Sequence, residues 1–182
     1  MSYSTTKPGV LLVEPRRKVD VRSVLMLIAF LAVSAAVAVF GSLTTIASVD
    51  GWYEGAAKVW WTPPNWLFGP VWTALYVAMA VAAWLVWRRR HFFYVGPALA
   101  LYTGQLFLNA VWSPVFFAGY EVIGDAALWI GVVVIVVLDI CVTATIIAFW
   151  FARKAAAIIL IPYLAWILYA TTLNIGLAVL NS

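Results

Sequence analysis

Tyr102, Gln105, Asn109, Trp112, Ser113 and Phe116 follow one another at intervals of mostly three and four residues. On a helix that spacing puts them on one face. Two further faces have a related make-up: Trp72, Tyr76, Met79 and Ala83 recur at helical spacing, and Trp166, Ala170, Leu173 and Asn174 share another. Aromatic rings with a few amides and hydroxyls offer stacking, dispersion and a small number of hydrogen bonds. That chemistry suits a flat hydrophobic ligand with a few polar handles. It also suits plain helix packing, with Gln105 and Asn109 serving as interhelical amide bonds. Pro114 adds a local feature. A proline inside a helix frees a carbonyl one turn back, here near Ala110, and opens a kink.

The aromatic residues are densest between positions 52 and 76, where Trp52, Tyr53, Trp60, Trp61, Trp66, Trp72 and Tyr76 surround Pro63-Pro64. Proline fixes φ and removes a backbone donor, so the pair makes a stiff, extended break before a helix. The stretch reads either as an aromatic belt at a membrane interface or as a preorganised lid with indole N–H groups at its rim.

Other chemistries find little support. The single histidine, His91, lies beside Arg90 in a basic loop, so hydrolysis has no visible base and no metal set is expected. No phosphate loop or dinucleotide fingerprint occurs. Cys141 is the only cysteine, cannot form an intrachain disulfide, and reads as a packing residue. Asp139 is the one acid well inside an apolar run. It is a functional candidate by default, or else a neutral acid bonded to a hydroxyl such as Thr143 one turn away.

The elements that must position these residues follow from composition. The 182-residue chain is 66% hydrophobic and 10% charged, with a mean hydropathy of +1.02. These values exceed those of an ordinary soluble domain and point to an all-α integral membrane bundle. Five apolar runs predict spanning helices over about 23–44, 66–87, 95–118, 125–151 and 155–180, each near the roughly 20 residues that cross a bilayer. The runs are apolar on all faces, which excludes the alternation of a β-barrel. The helices form one domain, residues 21–182, and residues 1–20 read as a disordered basic tail. Basic loops (Arg88-Arg89-Arg90-His91; Arg153-Lys154) alternate with acidic ones (Asp50 and Glu54; Glu121 and Asp125). The net charge of +4 therefore answers to topology rather than nucleic acid, with the N-terminus cytoplasmic. Helical spans favour a plasma (inner) membrane. Ala32, Ala35, Ala36 and Gly104 would let helices approach closely in a homodimer.

Three stretches resemble the tryptophan-rich sensory protein / translocator protein (TspO/MBR, peripheral benzodiazepine receptor) family. They are Trp52-Tyr53 through Trp61-Thr62-Pro63-Pro64-Asn65-Trp66 to Val71-Trp72-Thr73-Ala74-Leu75-Tyr76; Gln105-Leu106-Phe107-Leu108-Asn109-Ala110-Val111-Trp112-Ser113-Pro114; and Ile161-Pro162-Tyr163-Leu164-Ala165-Trp166 with Ala170-Thr171-Thr172-Leu173-Asn174. The resemblance covers about residues 23–180 in order. It implies a five-helix bundle, usually dimeric, that binds protoporphyrin IX, other tetrapyrroles and drug-like ligands under the first loop. No cofactor is required, and the porphyrin or haem-like molecule is the ligand. Carried over residue by residue, the implied pocket uses Tyr53, Trp61, Pro64, Trp72, Tyr76, Asn109, Trp112, Ser113, Trp166, Ala170 and Leu173. Trp72 and Trp166 match the positions linked in some bacterial members to light-dependent porphyrin breakdown. They are the candidate catalytic residues should the chain be an enzyme. Two features depart from the family. Its Lys-Pro in the first loop is Lys58-Val59 here, and the cholesterol-recognition pattern is absent after Leu173-Asn174, so no sterol site is expected there.

Overall fold

The computed structural model describes residues 20–49 and 51–182. The expected basic tail falls almost wholly outside the described residues, as does Asp50. The described chain runs α1 (Val21–Val49), α2 (Trp52–Gly55), α3 (Asn65–Trp87), α4 (Gly96–Ser113), a π-helical turn (Pro114–Ala118), α5 (Gly119–Ile123), α6 (Asp125–Ala152) and α7 (Lys154–Asn181). Five segments are long and apolar enough to cross a membrane, with 23 to 28 residues each. They are α1, α3, the α4–π–α5 run, α6 and α7, matching the five expected spans. In lipid a helix satisfies its own backbone, which is why these runs can only be helices.

Boundaries differ where the loops are structured. The first helix reaches Val49 rather than 44, because its last turns pack against the following loop instead of fraying. Pro64 is extended (φ −58, ψ 142) and α3 starts at Asn65, as a proline pair dictates. The kink expected at Pro114 is a π turn. One residue too many per turn accommodates the missing N–H and shifts the ring positions beyond it. Only Arg153, extended at φ −163 and ψ 108, separates α6 from α7, so these two form a tight hairpin.

Two apolar clusters frame the bundle. The larger joins Met79, Ala83 and Val86 of α3 to Val142 and Phe149 of α6 and Leu160, Tyr163 and Ile167 of α7. Small residues at Ala82, Ala83, Ala156 and Ala157 let the helices approach there, and close van der Waals packing is the attraction left between helices in lipid. The smaller cluster, at the other end, gathers Tyr53, Phe116, Phe117, Leu128, Leu177 and Ala178. Outside these clusters Asp139 is bonded, but not by Thr143. Its Oδ2 accepts from Thr171 Oγ1 of α7 at 2.8 Å, while Thr143 Oγ1 donates to the Asp139 backbone carbonyl. The hydroxyl one turn along its own helix bonds back to the i−4 carbonyl, leaving the carboxyl to the neighbouring helix.

Candidate functional site: an aromatic cavity under the first loop

A cavity of about 480 Å³ lies between the two clusters, a size within the roughly 300–1,000 Å³ common for small-molecule sites. Each element contributes through its inward face. Trp72 and Tyr76 come from α3, and Asn109, Trp112 and Ser113 from α4. The π turn supplies Phe116 and Phe117; α7 supplies Ala170, Leu173 and Asn174. Tyr53 and Val59 close the top. Phe116 reaches the wall because Gly131 of α6 leaves room for its ring, where a Cβ would collide. None of the lining residues is charged.

The roof is fixed mainly to α7. Ala57 N–H donates to Asn181 Oδ1 and Asn181 Nδ2 donates to Ala57 O, both at 2.9 Å. Trp61 Nε1 donates to Thr172 Oγ1 at 3.2 Å, and the Tyr169 hydroxyl donates to Trp61 O at 2.6 Å. Val59 sits in the space left by Gly176, where any Cβ would overlap it. At the other side Trp52 Nε1 donates to Phe117 O at 3.0 Å, and its ring stacks on Tyr120 with centroids 4.0 Å apart. Lys58 Nζ caps the carbonyls of Glu54 and Ala56 and lies 4.6 Å from the Tyr53 ring centroid, a cation–π contact. Burial holds the Tyr53 phenol above its ordinary pKa of 10.0.

The sides are less closed. Ser42 and Ile46 of α1 and Gly69 and Thr73 of α3 line the cavity and are exposed. The cavity is therefore open at its side, between α1 and α3.

Inside, most polar groups are committed to the protein. Trp112 Nε1 donates to Asn174 Oδ1 at 3.1 Å, and Asn174 Nδ2 to Ala170 O at 2.8 Å. Asn109 Nδ2 donates to Gln105 O at 2.9 Å and to the Tyr163 hydroxyl at 2.6 Å. Thr45 Oγ1 donates to Ser113 Oγ at 3.3 Å. The Tyr76 hydroxyl and Asn109 Oδ1 keep no protein partner among the described residues. Both residues are buried, unlike Ser42, Thr62 and Asn65, whose side chains also line the cavity without a protein partner among the described residues.

Of the residues singled out from sequence, Tyr53, Trp72, Tyr76, Asn109, Trp112, Ser113, Ala170 and Leu173 line this one cavity. Trp61, Pro64 and Trp166 do not. Trp61 is turned onto α7 by its bond to Thr172, and Pro64 shapes the entry to α3. Trp166 packs against Phe68 and Tyr169, with centroids 5.8 and 5.7 Å away, and touches the wall through Phe68. Gln105 is wholly buried beside the site rather than in it.

The α1 contribution was missed, although a signal existed. Ser34, Ala38, Gly41, Thr45 and Ser48 recur at intervals of three and four and mark the inward stripe of a helix whose other positions are mostly exposed.

A family model described as TspO/MBR matches residues 29–180. The chain belongs to the TspO/MBR family. It is 38% identical over 160 residues to the tryptophan-rich protein TspO of Archaeoglobus fulgidus, covering 88% of this chain and 99% of that one. It is 43% identical over 126 residues to the human translocator protein, covering 68% and 70%. With the tryptophan-rich sensory protein of Cereibacter sphaeroides it shares 36% identity over 156 residues, covering 86% and 91%. All three of the stretches that resembled the TspO/MBR family contribute lining residues to the cavity.

Proposed function

We propose that this TspO/MBR protein binds porphyrins, protoporphyrin IX and related tetrapyrroles, in the cavity under the first loop, for transport, sensing or scavenging. The observation that carries the reading is an uncharged, aromatic cavity of about 480 Å³ with a pinned roof and an open side between α1 and α3. A planar macrocycle would stack on Trp72 and Trp112, and the Tyr76 hydroxyl and Asn109 Oδ1 would bond its polar groups. The bilayer supplies the ligand already dissolved in hydrocarbon, so dispersion and ring contact supply most of the affinity. The family's homodimer, a plasma membrane location and a cytoplasmic N-terminus belong to the same proposal.

Titration of the purified protein with protoporphyrin IX tests it. Saturable quenching of tryptophan emission at one porphyrin per chain is expected; linear, unsaturated quenching contradicts it. Light- and oxygen-dependent breakdown of the porphyrin is the second reading. Trp72 on the wall favours it, but Trp166 is held off by Phe68, so the oxidisable indole would be Trp72 without its partner. That reading requires a new absorbing product on illumination that W72F abolishes.

A further inference from the structure

The opposite end of the bundle carries an independent feature. Among the described residues, Arg22, Arg88, Arg89, Arg90, Arg153 and Lys154 gather there against a single acid, Asp20. Trp84 Nε1 donates to Ser23 O at 2.7 Å and brings the first turn of α1 to the end of α3. Val86 near the end of α3, Phe149 near the end of α6 and Ala156 and Ala157 at the start of α7 belong to one buried cluster, so the chain ends that carry Arg89 and Arg153 lie on the same side of the bundle. None of the six cations forms an ion pair with a carboxylate among the described residues. Asp20 Oδ1 is taken by the backbone N–H of Arg22.

Three cations lie over indoles: Arg90 is 3.5 Å from the Trp87 ring centroid, Arg88 4.8 Å from Trp84 and Lys154 5.4 Å from Trp150. Rings and cations together mark headgroup depth. The positive-inside rule alone accounts for cations in these loops. It does not account for Arg89 Nε and Arg153 Nε, which are buried and keep no hydrogen-bond partner among the described residues, although each side chain as a whole is only half-buried. A desolvated guanidinium edge is costly unless an anion compensates it. Guanidinium is also the side chain whose geometry fits phosphate oxygens.

We propose that this end binds an anionic phospholipid, with Arg89 and Arg153 taking its headgroup phosphate and the apolar faces of α3 and α7 taking its acyl chains. A phosphate group at this depth, just past helices of 23 and 28 residues, comes from the lipid.

The test uses the full chain in neutral detergent, with native mass spectrometry counting bound dioleoyl phosphatidylglycerol against dioleoyl phosphatidylcholine. Retention of phosphatidylglycerol over phosphatidylcholine is expected. R89Q/R153Q should weaken it by about tenfold, whereas R22Q/R88Q, with the same loss of charge, should change it by less than about twofold. Equal loss in both pairs reduces the effect to bulk charge and overturns the site, as does equal retention of the two lipids. Displacement of the lipid by millimolar inorganic phosphate would assign the site to soluble phosphate and overturn the lipid proposal. Should R89Q/R153Q fail to fold, R89K and R153K keep the charge but lose the fork. Weaker phosphatidylglycerol retention in both supports the site, and unchanged retention overturns it.

Discussion

At the scale of the residue, the site divides its aromatic rings by job. Trp60, 91% exposed, and Trp66 at 72% face outward, as interfacial indoles do. Trp52 and Trp61 spend their N–H groups holding the roof, and Trp72 and Trp112 face the cavity. One tryptophan-rich stretch thus sends its rings to three places: outward, into the roof's hydrogen bonds and onto the cavity wall. Removing an indole face without opening a large void, as in W72F, is expected to weaken porphyrin binding by about three- to tenfold, the worth of one aromatic contact. Titration against W60F, expected to match the unmodified chain, checks that assignment. Asn109 is different, because it also ties α4 to α7 through Tyr163. N109L should lower thermal stability by about 1 kcal/mol, the scale of interhelical polar bonds in membranes, as well as weaken binding. Tyr53 adds a pH dependence. Its phenol is raised above 10.0 by burial, so the stability it gives the roof is complete below pH 10. As pH rises toward the folded-state value, the exposed phenol ionises first and that stability is lost. Faster ligand exchange above pH 10 in the unmodified chain, absent in Y53F, is the expected result.

At the scale of the element, the first loop is ordered by α7 rather than by its own prolines. Ahead of the proline pair the loop is held by Val59 entering the space at Gly176. G176A should push Val59 out, and N181A should release the paired bonds to Ala57. Both are expected to speed amide exchange across residues 56–62 and raise the porphyrin off-rate by several-fold, in keeping with the worth of one or two hydrogen bonds. Ligand dissociation by stopped-flow fluorescence measures this directly. The elements were legible in the sequence because runs of this length without charge have one outcome in lipid. The faces were legible because spacing of three and four residues survives folding. The π turn was not. Pro114 announces a disturbance, but whether the chain kinks or inserts a residue depends on what accepts Phe116 and Phe117, and Gly131 on another helix decides that. Likewise Trp166 carries the same motif signal as Trp72, and only packing against Phe68 separates the two.

At the scale of the whole molecule, five helices enclose an uncharged cavity whose roof is bonded shut and whose side opens between α1 and α3. A ligand arriving from water would have to displace the bonds to α7; one arriving from lipid would not. Uptake from porphyrin already dissolved in the bilayer is therefore expected to be faster than the opening of the roof measured by amide exchange. The two ends differ as sharply: an aromatic, hydrogen-bonded lid over the cavity, and an arginine-rich end beyond the larger cluster. Stability and binding are separable in such an arrangement, because the larger cluster holds together well below the lid. Filling the cavity tests this most directly. Ala170 is buried at its wall, and A170F would place a ring in the space proposed for the macrocycle. Titration of A170F with protoporphyrin IX should show saturable quenching abolished while the melting temperature holds or rises. Unchanged porphyrin affinity in a folded A170F chain would contradict the cavity as the binding site.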